Sequence, residues 1–511
     1  MSPALRAFLD FVEWRPVVEA AARHASSAPG RERVLALCPA PELAEARLRQ
    51  ARTEAARTLL AADLPDFAPL CDLGAAFARG GEEGLGRREL YAAARTVLLG
   101  RDARDLCAGL PPLAQLLAGP APDAGDLEAA GEVLNKIGPH GVVLDGASDR
   151  LAELRRALGA ARAALAEALR RVCYDPRVAP ALAERSPVSL RGQPCLKVRA
   201  GEVRRVPGPI VQQERDVLWV EPDAARAAYN QVRHLEVDER AEEARICRQL
   251  STLLWPRREE LSALADALAF LDAHLALARY GEALEATAPE LLEPGARRLS
   301  LRGLRHPLLV AEGRCVPLDL ELNGPRTVVV SGPNGGGKSA CLKAVGLAVL
   351  LAQAGGLVPA RAASLPVFAS LRAVGPPRAG LEEGRSTFQA HAADLAVALE
   401  GVEPGALLLL DEVGTGTDPT EAAALGQAVL EHVLARGATV LATTHLASLK
   451  GFAERAEGAV NAAMGVDAAG RPTFALRVGE RGGSHALDAA EAQGLPPSVC
   501  ARARALHAGE S

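Results

Sequence analysis

Aromatic residues make up only 3% of this 511-residue chain, so Ala, Leu and Val must fill most of any interior, a composition that favours helices. Lysine is nearly missing too: five lysines stand beside fifty-three arginines. Because the chain is also rich in Ala, Gly and Pro, this imbalance reads as a bias of the whole coding sequence and carries little functional weight. The nine cysteines are scattered, with Cys173 and Cys195 the closest pair. That excludes a C-x-x-C metal or redox spacing, and the odd count suits free thiols in a reducing compartment. No apolar run reaches the ~20 residues of a membrane span, since residues 344–360 are broken by Gly355, Gly356 and Pro359. Arg6, Asp10 and Glu13 interrupt any apolar core of a secretory signal. The expectation is a cytoplasmic protein. A net charge of −5 excludes a surface that coats nucleic acid or anionic membrane as a whole, so any such contact must be local.

The length leaves room for about three domains. Residues 3–293 carry apolar positions at three- and four-residue spacing, and 151–172 and 224–254 are the longest such runs. Between these, about 187–222, short Val-, Leu- and Ile-containing runs punctuated by Gly and Pro predict a small β insert. The helical texture ends near Pro294. Beyond it, the strand-like runs 299–301, 327–330, 407–410 and 439–442 alternate with helical ones. The expected fold is mixed: a mostly helical region over 1–293 with its β insert, then an α/β nucleotide-binding domain over 294–511. No tandem repeat is visible.

Gly332, Pro333, Asn334, Gly335, Gly336, Gly337, Lys338 and Ser339 spell G-x-x-x-x-G-K-S between a β-branched run and a helical run that opens at Ala340. Glycines let backbone N–H groups turn inward around a polyphosphate, and the following helix N-terminus adds a favourable dipole. Lys338 would reach the β- and γ-phosphates, and Ser339 would ligate magnesium. The apolar run Leu407 to Leu410 ends in Asp411 and Glu412, which a parallel strand would place at the same sheet edge. There Asp411 can hold magnesium, and Glu412 can orient and deprotonate the water that attacks the γ-phosphate. A third run, Thr439 to Thr444, delivers His445 to that edge, where an imidazole can report on the γ-phosphate. The other histidines show no metal-ligand spacing, so no catalytic zinc is expected.

This block, with Leu342-Lys343, Gly346-Leu347, Gln353 and Val358-Pro359-Ala360, resembles the ABC-type ATPase of the MutS family of DNA mismatch-repair proteins. Ser386-Thr387-Phe388, then Asp411 to Pro419, then Thr443-Thr444-His445 continue the resemblance in order. The Gly-Thr-Asp-Pro form followed by Glu421 is similar to the MutS type 2 branch, and His306-Pro307 is the family's usual dipeptide upstream. Asn461, Met464, Pro472-Thr473-Phe474, Gly479, Ser484 and Gly494-Leu495-Pro496 match the same branch. Leu9-Asp10-Phe11, residues 145–148 and Glu221-Pro222 extend the likeness into the helical half, as a lever or core region. Gly335 and Ala340 depart from the usual residues without removing a phosphate donor. Phe11-Val12-Glu13 mimics the Phe-x-Glu wedge of mismatch-recognising relatives, but it sits in the short helical opening with no mismatch-binding domain before it. Type 2 relatives continue into a small Smr nuclease domain, whereas this sequence ends at Ser511, so no nuclease activity is expected.

The resemblance implies ATP and Mg2+ as cofactors and a homodimer through the ATPase domains, with Ser386 and Thr387 in a signature segment that reaches the partner's nucleotide. It implies a nucleotide-gated clamp on mismatched, branched or recombining DNA, acting in DNA repair or control of recombination. The alternative is a ribosome- or structured-RNA-associated ATPase of the same fold. For a nucleic-acid grip residues 191–205 of the β insert offer Arg191, Lys197, Arg199, Arg204 and Arg205 against the single acid Glu202. The same strip reads equally well as the solvated face of an Arg-rich protein.

Overall fold

In the computed structural model of the chain, the described residues are 2–81, 84–119, 121–376, 387–414, 418–467, 471–482 and 494–508. They form two compact units. One comprises residues 1–68, 103–118 and 267–511; the other comprises 69–102 and 119–266. The units cut the chain elsewhere than the boundary expected near Pro294. The first 68 residues pack with the C-terminal half, because their helices carry apolar faces that complete its core.

The first unit is built on a six-stranded sheet. Its order is Ser370–Val374, Ala406–Leu410, Thr439–Thr443, Thr327–Ser331, Ala459–Val466, Pro472–Val478, parallel throughout except for the last, antiparallel pair. Strands buried on both faces need continuous apolar runs, and Thr327–Ser331, Ala406–Leu410 and Thr439–Thr443 are buried at every position. Alternate side chains divide between two cores: Val328, Val330, Leu407, Leu409 and Leu441 enter one, Val329, Leu408, Leu410, Val440 and Ala442 the other. On the first face lies helix Lys338–Ala354, buried at every residue but Ser339, Ala340 and Lys343. The opposite face is covered by helices Pro419–Ala435 and Ala447–Arg455.

A second sheet, in the order Glu290–Leu292, Ala362–Pro366, Arg298–Leu304, Leu318–Asn323, adds Leu301 and Leu320 to the core around helix Lys338–Ala354. The N-terminal helices Pro3–Phe11 and Trp14–Ala22 add Phe8, Val12, Trp14 and Val17. Their approach is close: a Cβ at Gly346 would lie 2.6 Å from Val12 Cγ1 and 2.8 Å from Leu409 Cδ1. The look-alike wedge Phe11-Val12-Glu13 is thus part of this packing, with Val12 fully buried and Glu13 paired to Lys343 at 2.7 Å. Deeper in the unit, Asp272 accepts hydrogen bonds from Ser26 N, Ser27 N and Ser27 Oγ at 3.1, 2.8 and 2.6 Å, which fixes the start of helix Ala28–Leu35.

The second unit contains the two long helices Asp149–Tyr174 and Asp223–Leu254, which pack antiparallel. Arg155 ties them by reaching Glu239 and Glu243, each at 2.8 Å, and Arg162 meets Glu236 at 3.0 Å. Between them in sequence lies the expected β insert, a four-stranded antiparallel sheet ordered Val188–Leu190, Gln193–Arg199, Val217–Val220, Ile210–Glu214. Its core is small: Leu196, Val198, Val206, Leu218 and Val220. Among the described residues, the helical run 223–283 passes the length and composition test for a membrane span, but 72% of its most apolar window is buried within the protein, as in a core helix.

Candidate functional site

The phosphate loop is held by its neighbours before it begins. Strand Thr327–Ser331 hydrogen-bonds to Thr439–Thr443 on one side and Ala459–Val466 on the other, so its end cannot slide. The chain then turns through Gly332 and reaches Gly337, whose φ of +90° opens helix Lys338–Ala354 in a conformation that disfavours any side chain. Gly332 is also forced by space, since a Cβ there would sit 2.7 Å from Met464 Cβ. Gly336 N donates to Pro333 O at 3.0 Å, closing the loop on itself.

Lys338 is 7% exposed. Its ammonium donates to Gly332 O at 2.9 Å, Pro333 O at 3.0 Å and Asn334 Oδ1 at 3.4 Å. Burial pushes its pKa down, and the nearby Glu412 and Asp411 carboxylates work against that push. A cation resting on neutral carbonyls in a low-dielectric site is primed for an anion, because exchanging dipoles for phosphate oxygens gains charge neutralisation.

Asp411 and Glu412 stand where the buried strand Ala406–Leu410 ends, as the sequence suggested. Asp411 is 1% exposed. One residue organises both acids: Thr443 Oγ1 donates to Asp411 Oδ1 at 2.5 Å and accepts from Glu412 N at 2.7 Å. Asp411 Oδ2 is buried without a hydrogen-bond partner. A carboxylate oxygen left so would be costly unless a cation or its water completed it, and exposed Ser339 lines the same cleft of about 710 Å³. The donor set, one hydroxyl and one carboxylate oxygen, fits a magnesium ion carrying its own waters. Glu412 has φ +58°, an uncommon left-handed conformation for this residue type, and its N–H bond to Thr443 helps hold it there.

Beyond the loop's other flank is an apolar pocket of about 140 Å³. His306, Cys315 and Val316 line it from one segment, Gly337, Ala340 and Cys341 from the loop and its helix, and Met464 and Phe474 from the hairpin of the last two strands. Sequence reading singled out His306, Met464 and Phe474 only as family signatures, and Ala340 as a nucleotide-binding position that departs from the family's usual residue, because the pocket draws on three segments far apart in the chain. Thr443 was likewise seen only as part of a motif. Its signal was a hydroxyl at the last position of a buried strand beside the acidic pair. Lys450 is a further buried cation, donating to Gly482 O at 2.8 Å while Gly482 N donates to Ser331 Oγ at 3.1 Å.

Other expected residues are not drawn in. His445 follows strand Thr439–Thr443 but is exposed. Ser386 lies outside the described residues, and Thr387 opens helix Thr387–Leu399. In the β insert the five basic residues do not form one free strip. Lys197 pairs with Glu184 at 3.1 Å and lies over the Trp219 ring, Arg199 donates to Pro180 O at 2.9 Å, and Arg205 pairs with Glu202 at 2.7 Å. Arg191 and Arg204 are exposed and, among the described residues, make no ion pair. Among the described residues, no group of three or more His, Cys, Asp or Glu side chains could hold a metal ion by itself.

The model of the family MutS domain V matches residues 328–509. The chain is 36% identical over 511 residues to the Endonuclease MutS2 of Pelotomaculum thermopropionicum, covering 98% of this chain and 64% of the relative. It is 34% identical over 518 residues to the Endonuclease MutS2 of Geobacillus thermodenitrificans (98% and 65%), and 40% identical over 390 residues to that of Thermomicrobium roseum (73% and 49%). The chain therefore spans just under two thirds of the length of the relatives it matches along nearly its whole extent.

Proposed function

The chain belongs to the MutS family and is similar to MutS2 proteins along nearly all its length, and from that premise we propose that it is an ATP-hydrolysing, DNA-binding protein. The observation that carries the reading is the acid pair tied by Thr443 at the sheet edge, opposite the loop that seats Lys338.

In this reading the backbone N–H groups of 333–339 and the Lys338 ammonium take the triphosphate, and the apolar pocket at Cys315, Met464 and Phe474 takes the purine ring. Ser339 and Asp411 hold Mg2+, which when bound neutralises charge on the phosphate oxygens. Thr443 keeps the Asp411 carboxylate turned toward the cleft and fixes the Glu412 backbone. Glu412 orients the attacking water and accepts its proton. A homodimer through the ATPase units, with Ser386 and Thr387 facing the partner's nucleotide, would turn ATP binding into a closing motion. For DNA, of the five basic residues expected in the insert, the exposed Arg191 and Arg204 are the ones open to phosphate contact.

The test is Glu412→Gln measured beside the unaltered chain. Phosphate release should be lost while calorimetry still registers magnesium-dependent ATP binding. Turnover retained by the variant would remove Glu412 from the chemistry, and no ATP binding by the unaltered chain would end the reading. Titration with branched, mismatched and plain duplex DNA, with an RNA hairpin as comparison, tests the partner.

A further inference from the structure

A histidine outside the three motifs belongs to a helix that lines the same cleft as Asp411. His391 belongs to helix Thr387–Leu399, which packs on the edge strand Ser370–Val374. The last residue of that strand, Val374, accepts the Asp411 N–H at 2.8 Å, and Asp394, Val397 and Ala398 of this helix line the same cleft as Ser339 and Asp411. His391 is only 3% exposed, and among the described residues its Nε2 is buried with no hydrogen-bond partner. A buried imidazole nitrogen is ordinarily satisfied, and one left open next to a reaction centre asks for a partner that arrives during the cycle.

We propose that His391 is a positioning residue for Glu412: its open Nε2 engages the Glu412 carboxylate when nucleotide is bound, fixing which carboxylate oxygen faces the attacking water. The proposal rests on the ATPase reading above. Burial disfavours the charged imidazole, while the Asp394 and Glu412 carboxylates oppose that effect, which places both acids within its electrostatic reach. A base oriented by a third group is a recurring way to hold a proton acceptor in one geometry. No proton need leave His391, because its part is to hold the carboxylate. His445, the imidazole that the sequence assigns to reporting on the γ-phosphate, is exposed in this structure.

The experiment compares His391→Leu, His391→Gln and Asp394→Asn in the full chain by steady-state ATP hydrolysis, binding of a non-hydrolysable ATP analogue, and thermal melting. His391→Leu should lower kcat about tenfold or more with KM and analogue affinity within about twofold, and His391→Gln, which keeps a polar terminus, should recover most of it. Asp394→Asn should cost less than His391→Leu. The proposal is overturned if kcat of His391→Leu stays within twofold, if affinity falls in step with kcat, if the Gln variant is impaired as much as the Leu variant, or if Asp394→Asn reproduces the loss. Should the Leu variant fail to fold, the Gln variant decides alone: turnover lost from a folded protein overturns the proposal. Absence of turnover in the unaltered chain would instead defeat the ATPase reading itself, which separates the two failures.

Discussion

Two five-residue strands of this chain differ in how firmly each is held. Thr327–Ser331 is buried at every position and bonded on both sides, and it ends at a loop whose lysine, like the neighbouring acids, is locked by named contacts. Ile210–Glu214 is exposed at every position and lies at the edge of the small sheet of the insert. Catalysis needs side chains held within a fraction of an ångström, and only an over-determined backbone supplies that. The proposed grip on a polyanion needs reachable positive charge, which this strand does not carry and which the exposed Arg191 and Arg204 elsewhere in the insert would supply. The same contrast separates Lys338, buried on three acceptors, from Arg191 and Arg204, which face solvent.

The sharpest way to break this contrast is to strike the locked region. Glu412→Gln should lower ATP turnover about 10³-fold with binding retained, as read by phosphate release and calorimetry. Thr443→Val is expected next. It keeps the shape of the side chain but strips both of its hydrogen bonds, so it should cost about 1–3 kcal/mol in urea unfolding and lower kcat roughly ten- to a hundredfold. A wild-type rate would mean that Asp411 and Glu412 are held by other contacts.

Acid should also act on the buried region. His274 is buried, bonded at Nδ1 to Thr53 Oγ1 at 2.9 Å, and burial pushes its pKa down to about 3, with Arg52 and Arg49 adding to the shift. The unfolded chain protonates it near 6.5 while the folded chain refuses the proton. Its contribution is therefore complete above about pH 6.5 and declines as pH falls from there toward 3, by on the order of 1 kcal/mol per pH unit. Urea midpoints at pH 7.5 and 5.5 should differ less for His274→Gln than for the unaltered chain. The smallest effects belong to the insert. Arg191→Ala and Arg204→Ala should leave turnover without DNA and melting unchanged, weaken all DNA sequences about equally, and lower the salt slope by about 1 each. Lys197→Ala, by contrast, should change stability as well, through Glu184 and Trp219.

What could be read from sequence follows the same division. The loop 332–339, the pair Asp411-Glu412 and the strands that carry them are each contiguous in the chain, so their positions at the strand ends were legible in the sequence. Three features were not. The pocket at Cys315, Met464 and Phe474 is assembled from distant segments, and periodicity says nothing about which loops meet. His391 is a single histidine in an apolar helix, and only its burial beside Glu412 distinguishes it from a packing residue. The basic strip looked uniform because sequence does not show that Pro180, Glu184 and Glu202 occupy three of its five members. The boundary near Pro294 followed a change of texture, whereas packing follows apolar faces. Residues 3–22 look like the helices after them, yet Phe8, Val12, Trp14 and Val17 bury against the helix that begins at Lys338.

That N-terminal packing fixes the order of events during synthesis. The first 68 residues leave the exit tunnel long before the strand and loop they must cover exist. At ~5–20 residues per second, most of the roughly 200 residues up to position 267 are made over about 10–40 s, with the nascent Phe8, Val12 and Trp14 surface uncovered meanwhile. A fragment cut at the apparent boundary would lack these side chains, leaving Gly346 and its neighbours facing water. The first unit therefore closes only when residues 1–68 and 267–511 have both been delivered.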